Sequence, residues 1–330
     1  MKKRCLCLLM LSICLMSGMA LGEEAQYMAR ANREFHIRDR PDDGARRVRN
    51  VQPKTSLEVM GWGEEWCEVR LAGTRGYART RWLSQLRSLD PMRFPVPGYP
   101  AQTGFIRVTK PASISVPGYK GNQLAPGDLI AARGWDGKRV QIDMMRDQSM
   151  LHAAAFEYQA FVPWAEAEPG ELVGGFTTFY HASTGGRLAA SRQKNIELAA
   201  GRVNGALVPA GGTFSFNALC GPYLKSKGYA LAPNISEDGV GYGGGVCQVS
   251  TTLFLAALGL PVEVMDWSLH RQAGVNYASL GFDAAVGTYS DLVLRNLLPY
   301  DLRIQVRPQN GVLSVLLLRN GAEQKEIFGE

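Results

Sequence analysis

Gly243-Gly244-Gly245-Val246-Cys247-Gln248 leads straight into Val249 to Leu258, an uncharged, mostly apolar run that stops at Gly259, two residues before Pro261. Three glycines free the chain for a turn, and the run after them has the length and composition of a buried helix. A thiol in the first turn of such a helix sits where unpaired N–H groups and the helix dipole favour a thiolate, which is how a nucleophile is made. Outward from this segment, Val262 to Trp267 reads as a strand. Upstream, Ile196, Ala199, Ala200, Val203 and Leu207 fall at helical spacing, predicting an amphipathic helix over about 189–204 with Gly205 as its stop. Pro209-Ala210-Gly211-Gly212 then turns the chain into a strand at Thr213 to Phe216. Downstream, Asp301 to Arg307 and Val312 to Leu318 flank Asn310-Gly311, a strong hairpin signal. Helices and strands mix without a regular βαβ rhythm, so this region is α+β.

The rest of the chain points outside the cell. Met1-Lys2-Lys3-Arg4, the apolar run Cys5 to Met16 and the small residues up to Gly22 have the form of a secretory signal peptide over residues 1–22. A secreted or cell-wall-associated protein is expected, membrane-anchored if the leader is uncleaved. Of six cysteines, Cys5, Cys7 and Cys14 would leave with the leader, and Cys67, Cys220 and Cys247 stay. An odd number in an oxidising compartment argues against a disulfide framework. The pairing open to consideration is Cys220 with Cys247, which would block the chemistry argued below. The net charge of +6 includes Lys2, Lys3 and Arg4, leaving +3 for the exported part. Arginines crowd residues 30 to 93, a surface suited outside a cell to anionic wall polymer or lipid headgroups rather than nucleic acid. A solvated basic face without a partner is the competing reading. Nothing in the sequence fixes an oligomeric state.

Phe35 to Arg38, Ser56 to Met60, Trp66 to Arg70 and Gly76 to Ala78 read as short strands between turn signals. With Ile37-Arg38-Asp39-Arg40-Pro41, Trp62-Gly63-Glu64-Glu65-Trp66-Cys67 and the closing Trp82-Leu83, residues 27–88 resemble a bacterial SH3-like domain, a module that commonly holds wall peptides or positions a neighbouring enzyme. Cys67 reads as a small core residue of a strand here. After a proline-rich link from Pro91 to Pro100, Pro126, Ile130 and Gly134-Trp135 repeat the offsets of Pro53, Leu57 and Gly61-Trp62. A second, degenerate SH3-like β module over 104–165 is expected, with one extended β domain as the alternative. The whole is then multidomain: N-terminal all-β SH3-like barrels followed by an α+β domain over 171–320.

A cysteine nucleophile needs a base within hydrogen-bond reach, and the base needs an orienting partner. His36 and His152 belong to the β region, leaving His181 and His270. His270 follows the strand after the cysteine helix, so a return beside that helix would carry the imidazole back to Cys247. Asp283 is the favoured orienting carboxylate and Asp266 the other candidate. Backbone N–H groups around Gly244, Gly245 and Cys247 could receive an oxyanion, though the glycines could equally serve only a tight turn. No metal is expected, because Cys247, His270 and Asp283 lack compact ligand spacing. Gly241 to Gly245 lacks the Lys-Ser/Thr ending of a phosphate loop, and no cofactor is implied.

The blocks Gly175-Phe176-Thr177-Thr178, Arg192 with Asn195-Ile196, Phe214-Ser215-Phe216-Asn217, Lys227-Gly228-Tyr229, Gly243 to Leu253, His270, and Gly281-Phe282-Asp283-Ala284-Ala285-Val286 occur in order. Residues 171 to 318 thereby resemble a VanW domain, a family named from glycopeptide-resistance gene clusters. The resemblance implies an L,D-transpeptidase acting on peptidoglycan stem peptides, with Cys247 attacking the third-residue carbonyl of a donor stem, expelling D-Ala and holding a thioester that a neighbouring amine resolves into a 3-3 cross-link. Water instead of the amine would give an L,D-carboxypeptidase. It further implies oxyanion or substrate-binding places for Gly244, Gly245, Gln248, Ser250, Arg192 and Asn217. Two rival readings are a noncatalytic peptidoglycan-binding or resistance accessory protein and a cysteine endopeptidase of the NlpC type.

Overall fold

The computed structural model describes residues 24–90, 93–113, 123–144, 147–152, 155–180, 187–234, 239–270 and 275–321. Residues 1–22, expected above to be a signal peptide, and His181 therefore lie outside the described residues. Among these, no helix is long and apolar enough to cross a membrane.

The N-terminal module is all-β. Seven strands form one sheet in the order Arg47–Val51, Phe35–Arg38, Thr74–Arg79, Trp66–Leu71, Ser56–Gly61, Tyr27–Ala31 and Leu83–Ser88. Alternation drives it: along Tyr27–Ala31 every second residue is buried, and Ile37, Leu57, Val59, Cys67 and Val69 are wholly inside. Cys67 accordingly sits in this core, its sulfur 3.3 Å from Thr80 Oγ1. Burial drives its thiol up, so it is inert. Residues 104–160 then form two three-stranded antiparallel sheets, one of Leu129–Ala132, Gly104–Val108 and Phe156–Ala160, the other of Gly134–Trp135, Arg139–Met144 and Asp147–His152.

The C-terminal region is α+β, with few helices. Its main sheet runs Leu172–Phe179, Val312–Arg319, Leu302–Gln309 and Leu207–Val208. The Asn310-Gly311 turn adopts positive φ at both residues, 51° and 81°, as a two-residue hairpin loop requires. Helix α1 (Arg187–Val203) buries Ile196, Ala199, Ala200 and Val203, and Gly205 ends it at φ 84°. The strand at Thr213 is shorter than its sequence suggests. Ser215 caps a short helix α2 (Phe216–Cys220) by accepting from the Ala218 amide, so Phe216 is helical. Helix α3 (Val246–Ala257) carries the cysteine, and the strand Val262–Asp266 follows it.

These parts are joined by specific contacts. Thr177 Oγ1 accepts from the Ala131 amide at 2.8 Å, fixing the middle β region to the main sheet. The SH3 side reaches the other flank of α3, where Gln85 donates to Trp267 O at 3.1 Å, Arg87 to Val264 O at 3.3 Å, and Tyr99 OH to Leu255 O at 2.7 Å. The N-terminal module thus braces the segment that leads to His270.

Candidate active site

Helix α3 carries no charge because it is enclosed on every side but one. Of its twelve residues, eleven are buried and Cys247 alone is not. The helix starts at Gly245, whose φ of 105° is strained for any residue with a side chain. A Cβ there would stand 2.9 Å from Arg192 Cγ and 3.0 Å from Arg192 O. Gly245→Ala is therefore expected to cost roughly 1–3 kcal/mol, read as a lowered thermal midpoint. Asn195, fully buried on α1, clamps the same turn by donating to Gly244 O at 3.0 Å and Ala230 O at 2.9 Å.

Cys247 opens into a cleft of about 690 Å³ that His270 also lines. His270 Nδ1 lies 2.6 Å from Asp283 Oδ2, and the same oxygen accepts the His270 backbone amide at 2.8 Å. With Nδ1 held by Asp283, Nε2 is the ring nitrogen left over, and the imidazole shares the cleft with the Cys247 sulfur. Burial would pull the imidazole down from its ordinary 6.5, but the Asp283 carboxylate and the Cys247 sulfur outweigh it and hold it up to about 9. The ring is thus kept as an imidazolium beside the sulfur at neutral pH. Asp266, the other carboxylate considered, is exposed at the end of its strand.

Residues 283–286 tie the three side chains together. Asp283, only 2% exposed, holds the ring, and its carbonyl accepts from Trp267 Nε1 at 2.8 Å. The Ala284 amide donates to Thr251 Oγ1 at 2.9 Å, and Ala284 O accepts from Ser250 Oγ at 2.7 Å. Val286 meets the sulfur with both backbone groups, N–H at 3.5 Å and carbonyl at 3.4 Å. One extended segment therefore spaces the Cys247 thiol, the His270 imidazole and the Asp283 carboxylate against the first turns of α3.

The remaining residues named from the sequence divide. Arg192, Gly244 and Gly245 line the cleft. The Gly244 amide is already spent on Gly241 O at 3.4 Å, whereas the amides of Gly245 and Cys247 carry no backbone bond among the described residues and are free for an oxyanion. Gln248 and Ser250 are fully buried and bonded inward, so they frame the cleft without facing it. Asn217 also stands behind the wall. It donates to Gly287 O at 3.0 Å and Ser290 O at 2.8 Å, which shapes the loop bearing Gly287 and Thr288. Helical phase turns Gln248 away from the opening, whereas Ser250, one turn on from Cys247 and on the same face, is covered by the Ala284 carbonyl to which it donates. Cys220 does not pair with Cys247. Its thiol is free and buried, directed at Ala199 O, and burial pushes it up to about 12. Tyr223 and Tyr277, which sequence reasoning passed over, line the cleft too.

Residues 191–318 match the family described as VanW like protein. The chain carries a VanW-like domain. Residues 31–85, ahead of it, match the bacterial SH3 domain. The uncharacterized protein YoaR of Bacillus subtilis strain 168 is 36% identical over 118 residues, which cover 35% of this chain and 37% of YoaR. Cys247, His270 and Asp283 all fall inside the VanW-like domain. Its pairing with a bacterial SH3 domain suggests a cell-wall-related protein.

Proposed function

We propose that this protein is a secreted or cell-wall-associated L,D-transpeptidase that cross-links peptidoglycan stem peptides through a thioester on Cys247. The observation that carries the reading is the exposure of one sulfur from an otherwise enclosed helix, beside an imidazole pinned by a buried carboxylate, in a cleft large enough for a peptide. In the first step the sulfur attacks the third-residue carbonyl, and the Cys247 and Gly245 amides receive the oxyanion. The tetrahedral adduct collapses with cleavage of the C–N bond, and the His270 imidazolium gives its proton to the departing D-Ala nitrogen. In the second step an acceptor amine attacks the thioester, passes a proton to His270, and expels the sulfur as a new amide forms. Water in place of the amine would trim the stem. The SH3 domain would hold the enzyme on the wall, and the Arg-rich surface of residues 30–93 would favour anionic polymer.

Mass analysis of muropeptides incubated with the full chain tests this. New 3-3 dimers, absent with Cys247→Ala, are the expected result. Stems shortened without dimers would make it a peptidase, and identical products from both forms would make it a binding protein.

A further inference from the structure

We infer that Arg192 selects donors with a free carboxyl terminus, its guanidinium receiving the α-carboxylate of the terminal residue that departs. This rests on the stem-peptide reading above. Among the described residues, the cleft is lined by two basic side chains, Arg192 and His270, and by no carboxylate. The charge of His270 is matched by Asp283, so Arg192 is the cation left to meet a ligand carboxylate.

Its charge is kept open by a neutral neighbour. Arg192 Nη2 donates to Gln248 Oε1 at 2.8 Å, and the buried amide of Gln248 cannot turn round. Its Nε2 donates to Phe179 O at 2.8 Å, which can only accept, and to Thr178 Oγ1 at 3.0 Å. Thr178 in turn meets Thr252 Oγ1 at 2.7 Å, and Thr252 donates to Gln248 O at 2.7 Å, which closes a ring of donors with one sense. Oε1 must therefore point at Arg192, which is oriented without being neutralised. Glu197, on the same helix, is instead engaged with Gln193 at 2.8 Å. A buried amide network that aims a guanidinium into a cleft whose described lining holds no counter-charge is built to receive an anion.

The position fits. The carboxylate of the leaving residue lies one residue, about 3.8 Å in Cα spacing, beyond the attacked carbonyl. Arg192 packs its Cγ and backbone carbonyl against Gly245, two residues before Cys247, and lines the same cleft as the thiol. Endopeptide or amidated donors would leave the cation unmet, so the arginine confines the cysteine to chain ends.

Binding to the full chain carrying Cys247→Ala, measured by calorimetry, tests this apart from the chemistry. The probes are a synthetic tetrapeptide stem ending in D-Ala carboxylate and the same peptide ending in D-alaninamide. The acid should bind about 10- to 100-fold tighter than the amide, the range for a charge-assisted bidentate contact. That preference should vanish in Cys247→Ala/Arg192→Met and survive in part in Cys247→Ala/Arg192→Lys, with the amide's affinity little changed as evidence of an intact cleft. Equal binding of acid and amide to Cys247→Ala, or a preference that survives Arg192→Met, overturns the inference and leaves the cross-linking reading standing. Binding of neither peptide overturns both.

Discussion

Cys247→Ala is expected to abolish thioester formation and cross-linking, a loss on the order of 10⁴-fold or more, while the fold stays intact. Among the described residues the proposed chemistry has no second thiol to use. The other described thiols, Cys67 and Cys220, are buried in separate cores, and burial raises both away from reactivity. The variant should also fold, because the sulfur is half-exposed and touches backbone groups of Val286 rather than filling a packed core. Its thermal midpoint should reflect a change of no more than about 1 kcal/mol. Intact-mass measurement after mixing with a donor stem is the direct check. The wild-type chain should gain the mass of the stem without its last residue, lost on hydroxylamine treatment, and the variant should gain nothing. A covalent adduct on the alanine form, or an unmodified wild-type chain that still yields dimers, would remove the sulfur from the reaction.

Much of this site was legible because its parts are local. Three glycines before a charge-free run specify a turn and an enclosed helix, and α3 begins at the glycine that only a residue without Cβ could occupy. Likewise Asn310-Gly311 marked the hairpin that centres the main sheet. The geometry that joins His270 and Asp283 to Cys247 is not local. It depends on the 283–286 segment lying against α3 through Ala284 and Val286, and backbone contacts of alanine and valine leave no trace in residue chemistry. The inward placement of Gln248 and Ser250 is a subtler loss. Gln248, next to Cys247 in sequence, faces inward by helical phase, and Ser250, one turn on, is covered by the Ala284 carbonyl. Asn195 and Trp267 were similarly hidden, since a buried amide and an indole look like core until their partners, Gly244 O and Asp283 O, are in place. The docking of Gln85 on Trp267 O could not be foreseen, as it joins residues 182 apart.

Asp283→Asn is expected to lower kcat/KM by about 10²- to 10⁴-fold at neutral pH and to move the alkaline limb of the rate profile. Asparagine can still accept the His270 backbone amide, so the segment keeps its course and the change isolates the charge. Burial already works against a charged imidazole at His270, and the carboxylate is the first of the influences that overcome it. Without that carboxylate the ring falls back toward, or below, its ordinary 6.5. The imidazolium that would protonate the leaving nitrogen in the proposed reaction is then scarce at pH 7.5. Wild-type activity should accordingly decline as pH rises through about 9, where the folded chain loses that proton. The variant should decline at least one unit lower, on the strength of removing an adjacent charge. Stability follows the same sign. A group raised in the folded state contributes fully below its unfolded value of 6.5 and ceases to do so as pH passes about 9. The difference in thermal midpoint between wild type and Asp283→Asn should therefore be widest near pH 6 and shrink toward pH 9. A rate limb that stays in place when the carboxylate is removed would mean that His270 is not the proton carrier, whatever the loss of rate.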